Sequence, residues 1–319
     1  MRFENIVGCF IGLAVGDALG VPVEFSRRLS LKTRPVTGMR GYGTWHQPAG
    51  TWSDDSSLTF CLAESLIGGY DPNDIGKKFL DWYATGYWGA HHKLFDIGRA
   101  TQEALERIKK KEDPRYSGNY DVDSNGNGSL MRIVPASLYF ANEADDDFYD
   151  NLREISSITH AHFRSVLSCF IFSKLTAELL KGADRDSAYE NVIRDVSMFA
   201  DRHDFNKDEL TLFEPLLNGK IASKKEESIR SSGYVLDTLT ASIWCFLTTE
   251  SFSSAVLKAV NLGDDTDTTG CVTGALAGLY YGENNIPTEW KNALARRDDI
   301  VTLANTFMEV SKKRFGHAP

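Results

Sequence analysis

The sequence predicts an all-α protein, and three observations carry the prediction. Apolar residues recur at the 3.6-residue helical period through most of the 319 residues. No long run alternates apolar and polar residues as a half-buried strand does. No Asn-Gly turn joins two such runs, and Asn125-Gly126 precedes a helical pattern instead.

The pattern places helices in order over about 4–19, 56–68, 73–84 and 96–111. A polar loop, 112–128 (EDPRYSGNYDVDSNGNG), follows as the longest break. Further helices fall at 129–141, 147–158, 163–181, 185–201 and 207–217. After a second loop over 218–233, the last four lie at 234–249, 252–261, 267–281 and 296–314. Motifs on both sides of the two loops look chemically related, so 1–319 reads as one domain. Two helices carry glycine every four residues: Gly8, Gly12, Gly16 and then Gly20, and Gly270, Gly274 and Gly278. Each interior glycine costs ~1 kcal/mol against alanine. The compensation expected is close approach of two central helices in a soluble core.

Composition bounds the function. Apolar residues make up 42% and charged residues 25%, enough for a full core. A net charge of −9 argues against a nucleic-acid backbone partner. It leaves room for a phosphorylated small molecule if metal ions offset the charge. Cys9, Cys61, Cys169, Cys245 and Cys271 are odd in number and sit among apolar residues, as buried free thiols of a reducing compartment do. The apolar stretch from Ile6 to Gly16 is too short before Cys9 for a signal peptide, and Asp17 closes it. No run is read as reaching the ~18 apolar residues of a membrane span. A cytoplasmic location is expected.

Chemistry concentrates in two acidic clusters, each opening an apolar helix. One is Ser53-Asp54-Asp55-Ser56-Ser57; the other is Asp264-Asp265-Thr266-Asp267-Thr268-Thr269. Asp, Ser and Thr cap helices and suit the positive end of the dipole, but one cap per helix is enough. Adjacent aspartates in excess of that repel one another unless a hard divalent cation joins them. Neither cluster has Cys or His at zinc spacing. A Gly-rich turn, Ser124-Asn125-Gly126-Asn127-Gly128, runs into a helix and can offer backbone N–H groups to an anion. Glu24 follows a Gly/Pro break, where a surface position is the plain expectation. His160 and His162, two apart, cannot share a helix face; one is expected to line a pocket and the other to be solvated. His91 and His92 read as surface residues.

Taken together, Gly16-Asp17-Ala18-Leu19-Gly20 with Glu24, Ser53-Asp54-Asp55, Gly126-Asn127-Gly128 with Met131-Arg132, Thr159-His160 and Asp265-Thr266-Asp267-Thr268 resemble the signature of the ADP-ribosylglycohydrolase family. The motifs occur in order and span nearly the whole chain. The resemblance implies an all-α fold with both acidic clusters at the base of one cleft. It implies two Mg²⁺ (or Mn²⁺) ions held by Ser53, Asp54 and Asp55 and by Asp265, Asp267 and Thr268. It further implies a gating contact from Glu24 and a diphosphate loop of Ser124, Asn125, Gly126, Asn127 and Gly128. His160 would lie near ADP-ribose and Tyr234 at its adenosine end. Ser53 stands where the family more often has Thr, which keeps the hydroxyl. Asp264 stands where many members have Gly, adding a charge beside the site.

The activity so implied is hydrolysis of the N- or O-glycosidic bond between ADP-ribose and an acceptor, arginine-linked protein first. Partners would be an ADP-ribosylated protein or small molecule, with ADP-ribose as product and no membrane. The ions would orient the ribose and activate water, with Asp55 or Glu24 as base. Two rival readings are a silent, crystallin-like relative and another two-metal hydrolase such as a phosphatase.

Overall fold

A computed structural model describes residues 1–316; the last three positions of the expected 1–319 domain lie outside that description. Eleven helices of nine or more residues dominate. They are α1 (Asn5–Gly20), α2 (Asp54–Ile67), α3 (Pro72–Thr85), α4 (Arg99–Lys109), α5 (Asp145–Ser157) and α6 (Phe163–Lys181). The rest are α7 (Arg185–Arg202), α8 (Val235–Leu247), α9 (Phe252–Val260), α10 (Thr266–Tyr281) and α11 (Arg297–Gly316). Among the described residues, β-pairing is confined to isolated bridges, including Gly126 with Tyr234 and Asn119 with His160. The expected all-α class is thus observed.

Helix α1 has no polar face. Every residue from Ile6 to Gly20 is buried, so it runs through the middle of the molecule. Its partner is α10, buried from Thr266 to Leu279. The glycine ladders explain how they meet. A Cβ on Gly12 would lie 2.4 Å from the Gly274 carbonyl oxygen, and one on Gly16 would lie 2.0 Å from that of Gly270. On Gly278 it would lie 2.1 Å from the oxygen of Gly8. The pairing order makes the helices antiparallel and puts backbone on backbone, as the spacing predicts. It also sets the end of α1 beside the start of α10, where Thr266 Oγ1 donates to Gly20 O at 2.9 Å. Around this pair, α11 stacks Phe307 on Phe10 of α1 at 5.4 Å, and α9 packs on α10.

Some boundaries differ from expectation. The segment expected as 129–141 is a 3-10 turn, Leu130–Arg132, followed by a short helix, Val134–Tyr139, that starts on Pro135. The segment expected as 207–217 breaks into Lys207–Thr211 and Glu214–Leu217, the second again started by a proline. In both cases proline supplies a new first turn and ends the previous one. Short helices Arg28–Thr33 and Thr288–Ala293 had no period long enough to signal them.

All five cysteines are free and buried, as expected. The expectation that no run reaches membrane-span length needs correction. Asn5–Val23 is 19 residues long with a mean hydropathy of 2.0, long and apolar enough by composition. Asp17 had seemed to close it, but a single acid does not lower the mean sufficiently. Every residue of it after Asn5 is buried inside the fold.

Candidate metal centre and substrate cleft

The first acidic cluster begins α2. Ser53 is its N-cap: Ser53 Oγ accepts from Asp55 N at 3.3 Å and donates to Asp55 Oδ2 at 2.8 Å. Two further amides at this helix start, those of Ser53 and Ser56, are bound from another helix. Asp17, at the end of α1 and 0% exposed, accepts from Ser53 N (2.9 Å), Ser56 N (3.1 Å) and Ser56 Oγ (2.6 Å). Capping therefore accounts for Ser53 and Asp17, and does not account for Asp54 or Asp55. Both are nonetheless buried.

The second cluster begins α10. Asp265 occupies the cap position without a side-chain cap bond. Its Oδ2 instead accepts from Asn127 Nδ2 at 2.8 Å. Asp267 Oδ1 accepts from Thr268 N at 2.9 Å, and Thr268 Oγ1 reaches Asp55 Oδ2 of the first cluster at 3.4 Å. The two clusters thus touch. Asp264 was expected to add charge beside the site, but its side chain is solvent-exposed. Its backbone is the useful part. With φ of 58°, Asp264 donates its N–H to Ser26 O (2.9 Å) and accepts from Phe25 N (2.7 Å), itself at φ 62°. That reciprocal pair ties the loop after Glu24 to the second cluster. Left-handed backbone favours glycine, so Asp264 holds this turn in a conformation unusual for a residue with a side chain.

Glu24 is 6% exposed rather than a surface residue. The short turn Val21–Val23, begun by Pro22, delivers it, and Trp45 Nε1–H donates to its carboxylate. Carboxylate oxygens of Glu24, Asp96 and Asp267 lie within 4.8 Å of one another, as do those of Asp17, Asp55 and Asp267. The sequence reading gave Asp96 no role. It stands alone in a loop between Phe95 and Ile97 at φ 54°, with no motif around it. Asp17 belongs to the Gly16–Gly20 motif, but nothing in the sequence indicates that it caps a distant helix.

Three buried carboxylate oxygens have no partner: Asp55 Oδ1, Asp265 Oδ1 and Asp267 Oδ2. Among the described residues no lysine or arginine pairs with any acid of the two clusters. Burial, then mutual repulsion, raises Asp54, Asp55 and Asp267 well above the usual carboxylate range. Burial likewise pushes Asp17 up to about 7 and Asp96 to about 6, and burial with the nearby Asp96 pushes Glu24 up to about 8. Unpartnered buried carboxylate oxygens are costly, and hard divalent cations are the ligands whose chemistry satisfies them. The residues present fit such ions. Asp17 fits less well as a ligand, because its oxygens already take the amides and hydroxyl at the start of α2.

The glycine-rich loop lies against the second acidic cluster. Asn127 N donates to Gly233 O and Val235 N to Asn125 O, both at 3.0 Å, so the loop is paired with the chain entering α8. Ser165 Oγ donates to Asn125 Oδ1 at 3.3 Å, and Ser124 is buried beside it. Gly126 and Gly128 are half-buried and lean on His160. A Cβ on Gly128 would come within 2.7 Å of His160 Cε1. His160 is 3% exposed and burial drives it down to about 3, so it is neutral. One of the two histidines was expected to be solvated, but neither is: His162 is half-buried and caps α6 by accepting from Arg164 N at 3.2 Å. Tyr234 is half-buried on the loop's far side, its hydroxyl 3.5 Å from Arg164 Nη1. His91 is exposed as expected, though its Nε2 lies 2.8 Å from Thr51 Oγ1.

The result is an all-α core with buried carboxylates from two helix starts, whose chemistry suits divalent cations, and a glycine-rich loop beside them. A model of the ADP-ribosylglycohydrolase family matches residues 1–316, and the chain belongs to that family. Its activity is accordingly that of a glycosidic-bond hydrolase acting on ADP-ribose linkages. ADP-ribosylarginine hydrolase Tri1 of Serratia proteamaculans is 35% identical over 94% of this chain and 78% of its own length. The ADP-ribosyl-[dinitrogen reductase] glycohydrolase of Rhodospirillum rubrum is 29% identical over 91% of this chain and 90% of its own. A solved structure titled as an ADP-ribosylglycohydrolase-related protein complex is 34% identical, with a TM-score of 0.81 over 97% of this chain and 99% of the other.

Proposed function

We propose that residues 1–319 act as one domain that removes ADP-ribose from arginine side chains of a protein, using two divalent cations, Mg²⁺ or Mn²⁺. One observation carries the reading: the three buried, unpartnered carboxylate oxygens on Asp55, Asp265 and Asp267, with no lysine or arginine paired to them among the described residues. The two carboxylate trios that share Asp267 support a bridging role for that residue. Ser53, Asp54 and Asp55 would hold one side, and Asp265, Asp267 and Thr268 the other. Relatives named as ADP-ribosylarginine hydrolases support arginine as the acceptor.

Bound cations supply charge neutralisation and Lewis acidity at the ribose hydroxyls and at water. The chain's own residues do the rest. The loop Ser124–Gly128 and His160 receive the diphosphate, and Tyr234 covers the adenosine end. Cleavage of the glycosidic bond builds positive charge on the ribose ring. The carboxylates of Glu24, Asp96 and Asp55 face that charge and stabilise it. Glu24 or Asp55, both raised by burial, is the proton acceptor for the attacking water. Asp96 beside Glu24 gives the positively charged guanidinium a carboxylate to rest on, which a serine acceptor would not use.

The test is a panel of linkage-defined ADP-ribosylated peptides read by mass spectrometry with Mg²⁺ present. Arginine-linked ADP-ribose should be released faster than serine-linked. Release of phosphate from p-nitrophenyl phosphate, with no ADP-ribose from any peptide, would favour a phosphatase instead.

A further inference from the structure

Arg132 lies next to the glycine-rich loop and yet does nothing in the reading above. It is 0% exposed, and it has no carboxylate partner. Its Nη2 donates to Ile155 O at 3.2 Å and to Thr159 Oγ1 at 2.8 Å; its Nε and Nη1 have no partner; its guanidinium sits 4.7 Å from the ring centre of Phe79. A buried arginine so poorly satisfied is expensive to keep. What it touches next is informative. Thr159 Oγ1, also 0% exposed, lies 2.8 Å from His160 Nδ1.

The donor inventory then fixes the protons. A guanidinium can only donate, so Thr159 Oγ1 accepts from Arg132. Among the described residues the Thr159 hydroxyl has one other polar neighbour, His160 Nδ1, and its hydrogen goes there. Nδ1 is therefore the acceptor nitrogen, and the ring proton is on Nε2. Nε2 is on the edge that faces the loop. It would lie 3.3 Å from a Cβ on Gly128 and 3.4 Å from one on Gly126.

We infer that Arg132 is a positioning residue which, through the Thr159 hydroxyl, holds His160 as a neutral Nε2–H donor aimed at the anion that the Gly126–Gly128 loop receives. The buried cation also places positive charge behind a loop that carries none of its own. The inference rests on the proposed diphosphate role of that loop. Its first half, the tautomer, does not.

Nitrogen-15 correlation spectra of histidine side chains give the test, with His160 assigned by its loss in His160→Gln. In wild-type protein Nδ1 of His160 should be the unprotonated nitrogen. Thr159→Val keeps the shape and removes the hydroxyl; it should mix the two tautomers. It should also weaken ADP-ribose at least ~10-fold, the size expected for a hydrogen bond to a charged group, with Mg²⁺ affinity unchanged. Thr159→Ser should restore both. If Thr159→Val does not fold, Arg132→Met should mix the tautomers in the same way. An Nδ1–H tautomer in wild-type protein, or unchanged tautomer and affinity in Thr159→Val, would overturn the relay. If the tautomer behaves as stated but ADP-ribose fails to bind wild-type protein, the relay stands and the diphosphate role of the loop falls.

Discussion

Asp267 illustrates what a single residue carries in this cleft. It belongs to both carboxylate trios, and its Oδ2 is buried without a partner. Asp267→Asn should therefore remove most hydrolysis of ADP-ribosyl-arginine even at saturating Mg²⁺, with the helical circular dichroism unchanged. Without metal the same change should raise the melting temperature. The sign follows from linkage: burial raises the carboxylates, so ionising them costs folding stability as pH rises through their folded values. The gain should be greatest above pH 8 and shrink as Glu24, Asp17 and Asp96 take up protons at about 8, 7 and 6. Near wild-type turnover in Asp267→Asn would remove it from the centre. Asn127 is the residue at which structure and sequence diverge. Its place in a glycine-rich turn suggests a phosphate contact separate from the metal base. Instead its Nδ2 donates to Asp265 Oδ2 and to Thr238 Oγ1, both at 2.8 Å. Asn127→Leu should thus weaken Mg²⁺ as well as ADP-ribose when both are titrated calorimetrically; loss of ADP-ribose binding alone would restore the simpler division. The acids in runs were legible because excess carboxylates at a helix start have no structural use. Asp17 and Asp96 were not, because each stands singly and gains its meaning from a partner far away in sequence.

At the scale of elements, the site depends on how closely α1 and α10 approach. Their glycine spacing was readable as a groove, and the structure shows backbone filling it. Gly16→Ala would put a Cβ 2.0 Å from the Gly270 carbonyl oxygen, with backbone on both sides and nothing flexible to yield. The helices must separate, at a cost of ~3 kcal/mol, the upper end of the usual overpacking range. The shift would carry Asp17 and Glu24 away from Asp267. Gly68→Ala is the control: that residue is exposed at φ −78°, and the nearest atom to its Cβ is 3.4 Å away. It should change stability by less than ~0.5 kcal/mol. Chemical denaturation of both variants decides, and equal stabilities would mean that the groove is not needed. Helices with long periods were placed within a few residues from sequence alone. Those cut by Pro135 and Pro215 were drawn too long, since apolar spacing continues across a proline while the backbone does not.

For the whole molecule, the fold brings two helix starts more than 200 residues apart in sequence to one buried point, where Thr268 Oγ1 meets Asp55 Oδ2. Among the described residues no lysine or arginine pairs with these carboxylates. The class of fold was legible because helical period fills the sequence. That the loop 125–128 pairs with 233–235 beside the acids was not, because such pairing leaves no periodic trace. The central claim is that divalent cations complete this site. The direct measurement is ADP-ribose release from an arginine-linked substrate by metal-stripped protein in EDTA, followed by addition of Mg²⁺ or Mn²⁺ in excess. Turnover should be absent in EDTA and return with either ion, with no requirement for Zn²⁺. Full turnover in the stripped, chelated sample would contradict the account.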